Sequence, residues 1–414
     1  MAMRTKNRCR LCKSSSLKKV IDFGLMPLAG GFLKKNKLSQ EKKYPLRIFF
    51  CQNCKLLQLI DVISPKILFK DYRYISSATK TLSKHFKKYA EEMASRFLNK
   101  DSFVVEIGSN DGVLLAPLKR NGINALGVDP AVNIVKIAKK RGLNVINDFF
   151  NVKTAKRILN KYGKADAIFS NNTLAHINDM NEIMKGIKLL LNEKGILVFE
   201  VQYLADLVKY LQYDFFYHEH LCYYSLKPLI KFLDKYKMEI FDVKKIPIHG
   251  GSIKVYVTNK LNKKYPVSKR ISHILAIERK MNLHTFSGLS DFIKRIQRHK
   301  ILLMAELKRI KSENKTICAY GASGRSVTLT NYCGIDKNYL EYIVDASPER
   351  YGRLMPGTHV PIVAPSYFKK NPTDIVLITA WTYKDEILGK EKWFLKKGKM
   401  IIPLPEIKIL GKAK

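Results

Sequence analysis

The sequence predicts an α/β protein with a small cysteine-containing N-terminal module, a doubly wound parallel sheet and a C-terminal Rossmann-like α/β domain. Three observations predict this fold class. Strand and helix patterns alternate from about residue 103 to 202, strand–loop–helix patterns resume near residue 316, and two CxxC pairs lie near the N-terminus. Strands that alternate with helices predict a parallel sheet covered on both faces. With 414 residues, 46% of them hydrophobic, the chain can bury more than one core.

Charge and hydropathy restrict the function classes. Lys and Arg number 75 against 35 Asp and Glu, a net charge of +40. This excess suggests nucleic-acid binding. However, it is mostly Lys and is spread along the chain, whereas Arg reads phosphates and base edges better. No apolar run reaches the roughly 18 residues of a membrane span, and the N-terminal segment lacks the apolar core of a signal peptide. We expect a cytoplasmic protein that binds no membrane, and we do not favour nucleic acid as its partner.

Four of the seven cysteines form two CxxC pairs, Cys9 with Cys12 and Cys51 with Cys54. A CxxC turn directs two thiolates at one ion, and two such turns complete a tetrahedral zinc site. The 38 residues between the pairs exceed the gap of a minimal zinc ribbon, so a small subdomain is expected to fold between them. A redox pair is the alternative. We expect a structural Zn²⁺, since a closed four-Cys site leaves no open position for catalysis.

The segment VVEIGSNDG, residues 104–112, predicts the first strand of the sheet and a cofactor-binding loop. The glycines at both ends of this loop, Gly108 and Gly112, let the backbone approach a ligand closely. Asn110 lies between them, and Glu106 and Asp111 make the segment acidic. That acidity would repel a pyrophosphate. It suits S-adenosylmethionine, which carries a positive sulfonium and no phosphate.

Polar residues at the following strand ends extend this cofactor site. Asp129 ends the second strand, 23 residues after Glu106, and is a candidate to bind ribose hydroxyls. Asp148 and Phe149 follow the third strand and are candidates to hold the adenine by a carboxylate and a stacking ring. Asn171 ends the fourth strand. This series of strand ends predicts cofactor binding more strongly than the glycine-containing loop alone.

The segment YHEHLCYYS, residues 217–225, follows the fifth strand. Tyr217, Glu219 and His220 offer a phenol, a carboxylate and an imidazole within four residues. Histidine is the usual general base near neutral pH, and a nearby carboxylate can orient it. On these residues alone we favour the plainer interpretation, a solvated helix end or a buried, hydrogen-bonded histidine.

A second glycine-containing turn occurs in AYGASGRSV, residues 319–327. Gly321 and Gly324 separate a strand from a helix. Backbone amides at such a turn bind phosphate, and Arg325 can add charge. The alternative is an ordinary tight strand-to-helix turn.

Together these segments resemble the sugar C-methyltransferase family of deoxysugar biosynthesis over nearly the whole chain. The motifs that carry the resemblance are CRLC, CQNC, DYRYISSAT, VVEIGSNDG, NNTLAHI, YHEH, IHGGSIKVY, YGASGRSVTLTNYCGI and RLMPGTHVPI. The resemblance implies a zinc-binding module over 1–75, a class I methyltransferase domain that binds S-adenosylmethionine over 76–240, and a C-terminal nucleotide-sugar-binding domain over 241–414.

The resemblance also implies a reaction, methylation of C3 of a 4-keto-6-deoxyhexose that is commonly linked to dTDP. His220 matches the base that removes the C3 proton, and Tyr217 and Glu219 match its neighbours. A C–H bond beside a ketone is acidic only because the anion delocalises onto the carbonyl oxygen. A base and a hydrogen-bond donor to that oxygen are therefore both needed.

The remaining residues implied by the resemblance belong to the substrate site. Tyr74 matches a further catalytic tyrosine, and Tyr72 is a substrate-binding candidate beside it in the sequence. The turn that contains Gly321, Ser323 and Arg325 lies in the domain that is similar to the one holding the nucleotide diphosphate. The partner implied is thus a nucleotide-linked keto-sugar.

Two other functions remain open on the sequence. One is an O-methyltransferase of the same fold acting on a sugar or small metabolite, which would have no use for an enolate pocket. The other is a basic zinc-containing RNA-binding protein, which predicts an aromatic-rich basic face and salt-dependent RNA binding. We expect a monomer, because a chain with three domains of its own can build a complete site.

Overall fold

The structure is a computed structural model that describes residues 2–69 and 75–411. The chain divides into two compact units, each drawn from three segments. Unit 1 comprises residues 1–18, 50–204 and 221–284, and unit 2 comprises residues 19–49, 205–220 and 285–414. The domain boundary predicted at 240/241 falls inside a strand, Met238–Ile246, which belongs to the main sheet of unit 1.

Strands and helices alternate along most of the described residues. The strands are β1 Met3–Thr5, β2 Leu17–Pro27, β3 Lys43–Cys51, β4 Leu57–Leu59, β5 Asp61–Ile63, β6 Phe103–Ile107, β7 Asn124–Asp129, β8 Val145–Asn147, β9 Ala165–Asn171, β10 Leu191–Gln202, β11 Cys222–Tyr223, β12 Met238–Ile246, β13 Ser252–Asn259, β14 Ile317–Tyr320, β15 Ile343–Val344, β16 Ile362–Val363, β17 Ile375–Leu377, β18 Lys399–Ile402 and β19 Lys408–Leu410. The α-helices are α1 Pro65–Phe69, α2 Lys80–Arg96, α3 Leu115–Arg120, α4 Val132–Lys140, α5 Val152–Tyr162, α6 Met180–Leu190, α7 Leu204–Lys209, α8 Leu226–Asp234, α9 Lys269–Lys280, α10 Phe286–Ser312, α11 Gly324–Cys333, α12 Pro365–Lys370 and α13 Lys384–Lys390.

The main sheet of unit 1 has seven strands in the order β12-β13-β10-β9-β6-β7-β8. The five strands predicted from the alternating pattern, β6 to β10, are present and parallel. The sheet also contains β12 and β13, which the pattern did not predict, and β13 runs antiparallel to both of its neighbours. All five residues of β6 are buried, which explains its nearly continuous apolar run.

Helix α2 shows how the helices cover this sheet. Thr79 caps its first turn by accepting a hydrogen bond from the Leu82 amide. Its buried face, which includes Phe86 and Met93, packs into one hydrophobic cluster with side chains of β6, β9 and β10. The apolar spacing that predicts the helix is therefore the face that meets the sheet.

Two helices, α9 and α10, lie between the main sheet of unit 1 and β14 in the sequence. They are separated because Thr285 caps α10 and accepts a hydrogen bond from the Gly288 amide. Of the helices that the structure describes, none is long and apolar enough to cross a membrane.

Unit 2 contains a six-stranded sheet in the order β16-β15-β14-β17-β18-β19. Its strands are parallel except for β19, which is antiparallel to β18. The strand order reverses between β14 and β17, and open sheets of this kind bind ligands at such a switch point. The predicted glycine-containing turn, Gly321–Arg325, follows β14 at this position.

Candidate active site

The two CxxC turns bring four thiols together. The sulfur atoms of Cys9, Cys12, Cys51 and Cys54 all lie within 4.8 Å of one another. In each turn the amide of the lysine four residues after the first cysteine donates to that cysteine's carbonyl, and both lysines have a left-handed backbone. The two turns thus have matching hydrogen bonds although 38 residues separate them. Four convergent thiolates fit a structural Zn²⁺.

Buried Arg10 is an addition to this centre that sequence reasoning missed. Its backbone amide and Nη1 both donate to Oε1 of Gln58, at 3.1 and 3.2 Å. Its carbonyl accepts from the side-chain amide of Asn181 at 2.9 Å. Zn²⁺ with four thiolates would carry a net charge of −2, so a buried guanidinium beside Cys9 supplies compensating charge.

Two residues of the cofactor loop, Gly108 and Asn110, have a positive φ, a backbone conformation that most side chains disfavour. Gly108 has φ +73°, and a Cβ atom there would lie 2.2 Å from Oγ1 of Thr173. Asn110 also has positive φ, and its amide donates to a carboxylate oxygen of Asp129 at 2.9 Å. The predicted ribose-binding carboxylate thus also holds the loop in place. Burial raises the pKa of Asp129.

Glu106 is a buried carboxyl group of this site. Its Oε1 accepts from Asn171 at 3.4 Å, and its Oε2 has no hydrogen-bond partner among the described residues. Burial raises the pKa of Glu106 well above its usual value, although the hydrogen bond from Asn171 lowers it. The nearby carboxylates of Asp129, Asp111 and Glu200 raise the pKa further. An orphaned buried carboxylate oxygen suits a cationic ligand such as S-adenosylmethionine.

The predicted adenine contacts lie at the next strand end. Phe149 is 41% exposed, so its ring is available for stacking. Asp148 accepts from the Phe149 amide at 2.8 Å and pairs with Arg157 at 3.1 Å. Roles for Asp148 and Phe149 in binding adenine stay a prediction.

A second buried acidic group in unit 1 was not predicted. Nε2 of His85 lies 2.9 Å from both carboxylate oxygens of Glu200, and Nζ of Lys254 lies 3.5 Å from one of them. Glu200 is in β10, opposite Asn171 of β9. No sequence motif joins His85 to Glu200, because 115 residues separate them.

In unit 2, Tyr217 and His220 are brought together as the sequence suggested. The tyrosine hydroxyl lies 3.0 Å from Nε2 of His220, and the two rings are 4.1 Å apart. Nδ1 of His220 lies 3.2 Å from the carbonyl oxygen of Phe215. A carbonyl oxygen can only accept, so Nδ1 carries the hydrogen in the neutral ring. Nε2 then keeps its lone pair, accepts from Tyr217 and is the nitrogen able to act as a base.

The third member of this segment, Glu219, lies near Gly30 in unit 2. A Cβ atom on Gly30 would lie 4.0 Å from Oε1 of Glu219. His220 itself is buried. The histidine is thus both buried and hydrogen-bonded through its two ring nitrogens.

Arg325 has a different environment from the one predicted. Its Nε and Nη2 donate to the two carboxylate oxygens of Asp214 at 2.9 and 2.8 Å, and Nη2 also donates to Gln212. Only Nη1 has no partner among the described residues. The bidentate pair with Asp214 already neutralises the charge that was expected to face a phosphate.

The glycines of the same turn are required by packing. A Cβ atom on Gly321, which has φ +107°, would lie 2.2 Å from the Cβ of Ala380, and one on Gly324 would lie 3.1 Å from that of Ala29. Ser323 caps α11 through a capping box with Ser326. These contacts favour the tight-turn alternative, and substrate binding by Gly321, Ser323 and Arg325 stays a prediction. The candidates Tyr72 and Tyr74 lie outside the described residues.

Comparison with known proteins adds independent evidence. Family models match a zinc binding domain over 9–69, a methyltransferase domain over 80–241 and a C-methyltransferase C-terminal domain over 247–405. The C-methyltransferase NovU of Streptomyces niveus is 31% identical over 408 residues, which cover 98% of this chain and 97% of that protein. The ubiquinone biosynthesis O-methyltransferase of Bartonella tribocorum is 26% identical over 95 residues, 23% of this chain and 38% of that protein.

Among solved structures, a SAM-dependent methyltransferase from Thermotoga maritima is 22% identical. The match covers 43% of this chain and 91% of that one, with a TM-score of 0.33. The family models, the sheet order and the four-cysteine cluster confirm the predicted fold class.

Proposed function

The chain belongs to the C-methyltransferase family, and from this premise we propose that it methylates C3 of a nucleotide-linked 4-keto-6-deoxyhexose, with dTDP as the nucleotide. The predicted enzyme class, a SAM-dependent methyltransferase, is confirmed by the family assignment. The observation that best supports the proposed reaction is the hydrogen-bonded pair of Tyr217 and His220, in which the base nitrogen faces a phenol.

The chemistry of carbon methylation explains why such a pair is needed. S-Adenosylmethionine supplies an electrophilic methyl group when bound. The carbon that accepts it must first lose a proton, so that its electron pair can form the new bond. Methylation of a hydroxyl oxygen needs no enolate and therefore no donor to a ketone oxygen. The alternative O-methyltransferase function is thus less well matched to the Tyr217–His220 pair.

In the proposed reaction, Nε2 of His220 accepts the C3 proton. The Tyr217 hydroxyl then donates to the 4-keto oxygen, where the negative charge of the enolate collects. With S-adenosylmethionine bound, its methyl group would pass to the enolate carbon as the C–S bond breaks, which would give the C-methylated keto-sugar and S-adenosylhomocysteine. The Phe215 carbonyl holds the proton on Nδ1 throughout, so Nε2 is the ring nitrogen that gains and loses a proton.

Unit 1 contributes the cofactor side of the proposal. Glu106, Asp129 and the loop at Gly108 meet at the carboxyl ends of parallel strands. The buried carboxylate of Glu106 suits the cationic charge of the cofactor, and Asp129 suits its ribose hydroxyls.

The proposal is tested with dTDP-4-keto-6-deoxyglucose and S-adenosylmethionine in deuterated water, with NMR following the C3 proton and any new methyl signal. We expect the wild-type protein to exchange the C3 proton and to form a C-methyl product. We expect His220→Ala to lose both activities by at least about 100-fold, in keeping with the usual contribution of a general base.

His273→Ala is the matched control, because His273 is an exposed histidine on α9. It should exchange and methylate as the wild type does. An O-methyl product would replace the proposal with the O-methyltransferase alternative. Exchange that survives in His220→Ala would remove His220 from the mechanism while leaving the reaction in place.

A further inference from the structure

We infer that Asp214, Arg325 and Trp381 form a positioning cluster that holds Phe215 and, through Phe215, fixes the tautomer and orientation of His220. The inference rests on the proposed role of His220 as the base. All five residues belong to unit 2. On the sequence, Arg325 is a candidate to bind the substrate phosphate, whereas Asp214 and Trp381 carry no predicted role.

The core of the positioning cluster is a saturated carboxylate. Asp214 is fully buried, and both of its oxygens accept from the Arg325 guanidinium in a bidentate arrangement. The indole N–H of Trp381 donates to Oδ2 of the same carboxylate at 2.8 Å. Three directed donors leave the Asp214 side chain little freedom to rotate.

Aromatic contacts connect the ion pair to the base. The guanidinium carbon of Arg325 lies 4.8 Å from the ring centroids of both Phe215 and Trp381. The Phe215 ring also stacks on His220, with centroids 4.6 Å apart and planes 24° apart. The rings and the guanidinium form a continuous series of contacts, from Trp381 through Arg325 and Phe215 to His220.

Phe215 contacts His220 in a second way, through its backbone. Its carbonyl oxygen receives the Nδ1 hydrogen of His220. Phe215 directly follows Asp214 in the chain, so anchoring the carboxylate also restrains the peptide that carries this carbonyl. The hydrogen bond made by one ring nitrogen decides which nitrogen is left as a base. Loss of the anchor should therefore act on the histidine although it touches no substrate atom.

The environment of Arg325 agrees with this positioning role. Its side chain is 13% exposed, and two of its three guanidinium nitrogens bond inside the protein. A ligand for a diphosphate would be expected to present its donors outwards. Arg325 is thus a positioning residue in this proposal, and its substitution should affect the rate of deprotonation more than substrate binding.

The test compares Trp381→Phe, Arg325→Met and a matched control in the full-length protein. Trp381→Phe keeps an aromatic ring and removes one N–H bond to Asp214, so it is the mild variant should Arg325→Met fail to fold. Trp393→Phe is the control. Its indole also donates to a carboxylate in unit 2, Glu391 at 2.7 Å, and its ring packs against Phe368 and Phe394, which are not members of the positioning cluster.

The first measurement needs no substrate. With ¹⁵N-labelled histidine, the ring signals of His220 are assigned by their loss in His220→Ala, and their chemical shifts report the tautomer. We expect the Nδ1–H form in the wild type and in Trp393→Phe, and a mixture of tautomers in both cluster variants. Unchanged His220 signals in Trp381→Phe and Arg325→Met would overturn the proposal.

The second measurement is a comparison of kcat with KM for the nucleotide sugar. We expect kcat to fall about 10-fold in the cluster variants, the effect typical of groups that orient a functional histidine, while KM changes less than about twofold. A raised KM with unchanged kcat would instead make Arg325 a direct substrate ligand and overturn the positioning role. The two proposals can fail separately. If the cluster variants change the His220 tautomer but the wild-type protein methylates no keto-sugar, the positioning role stands and only the proposed function is contradicted.

Discussion

Glu106 shows how a single buried residue can link cofactor binding to pH. Its carboxyl group is buried among other acidic groups, which raises its pKa well above the usual value. A group whose folded-state pKa exceeds its unfolded value contributes stability below the unfolded pKa and loses that contribution as pH rises through the folded pKa. A cationic ligand beside Glu106 would favour the ionised form and oppose this loss.

We predict that S-adenosylmethionine binding releases protons and tightens as pH rises toward the raised pKa of Glu106. Calorimetry in two buffers of different ionisation enthalpy measures the proton release. Glu106→Gln should bind more weakly, by about 1–3 kcal/mol for a lost charged partner, and should release fewer protons than the wild type. Equal proton release by both proteins would show that Glu106 does not ionise on binding.

At the scale of elements, the junction between β6 and the cofactor loop requires glycine at position 108 for two reasons. Its backbone has a positive φ, and a neighbouring side chain leaves no room for a Cβ atom. Gly108 and Gly122 share a positive φ, of 73° and 76°. They differ in their surroundings, because a Cβ atom meets Thr173 at the first position and nothing within 4 Å at the second.

This contrast gives a matched pair of variants. Gly122→Ala should lower the free energy of unfolding by about 1–2 kcal/mol, the strain of a left-handed alanine. Gly108→Ala should lower it by about 1–3 kcal/mol more through the clash with Thr173, and should also weaken S-adenosylmethionine binding. Urea titration and calorimetry measure the two effects. Equal destabilisation by both variants would mean that the loop relaxes around the added methyl group.

The paired CxxC turns are expected to hold a zinc ion tightly only when all four thiolates are present. We expect the purified protein to hold one Zn²⁺, and Cys12→Ser to lose it more readily to a chelator. The variant should bind zinc more weakly because it lacks one of the four thiolate ligands. Cys318→Ala, which changes a buried cysteine of β14 outside the cluster, should keep its zinc. Metal analysis after chelation distinguishes them, and equal zinc retention would exclude the four-cysteine site.

On the scale of the whole molecule, the dominant property is a net charge of +40. The excess is spread over the chain, and its long-range field should attract a diphosphate more than the cationic cofactor. Salt screens such fields over about 10 Å at 0.1 M ionic strength.

We therefore predict that KM for the nucleotide sugar rises several-fold between about 0.05 and 0.5 M salt, whereas the affinity for S-adenosylmethionine changes little. Initial rates at varied salt and calorimetry of the cofactor provide the comparison. If KM for the nucleotide sugar does not respond to salt, the basic surface has no part in attracting the substrate.

Sequence alone determined the features that depend on short stretches of chain. The CxxC spacing predicted the metal cluster, and the buried run of β6 predicted the first strand. A single turn or strand sets each of these features locally, although folding must still bring the two CxxC turns together across 38 residues. The sequence placed Tyr217 and His220 three residues apart, and the structure shows that the hydroxyl lies 3.0 Å from Nε2. The strands β12 and β13 escaped prediction because no helix separates them and they enter the sheet out of sequence order.

Only the tertiary structure decided which distant side chains meet. Arg325 is a candidate phosphate ligand on the sequence, and the structure pairs its guanidinium with Asp214, 111 residues away. His85 and Glu200 meet across 115 residues in the same way. Such partners are chosen by strand order and by the need to neutralise buried charge, and neither leaves a periodic signal in the sequence. The YHEH motif thus offered His220 as a candidate base. The fold of unit 2 decided which nitrogen of the His220 ring can accept a proton, because the Phe215 carbonyl holds the hydrogen on Nδ1.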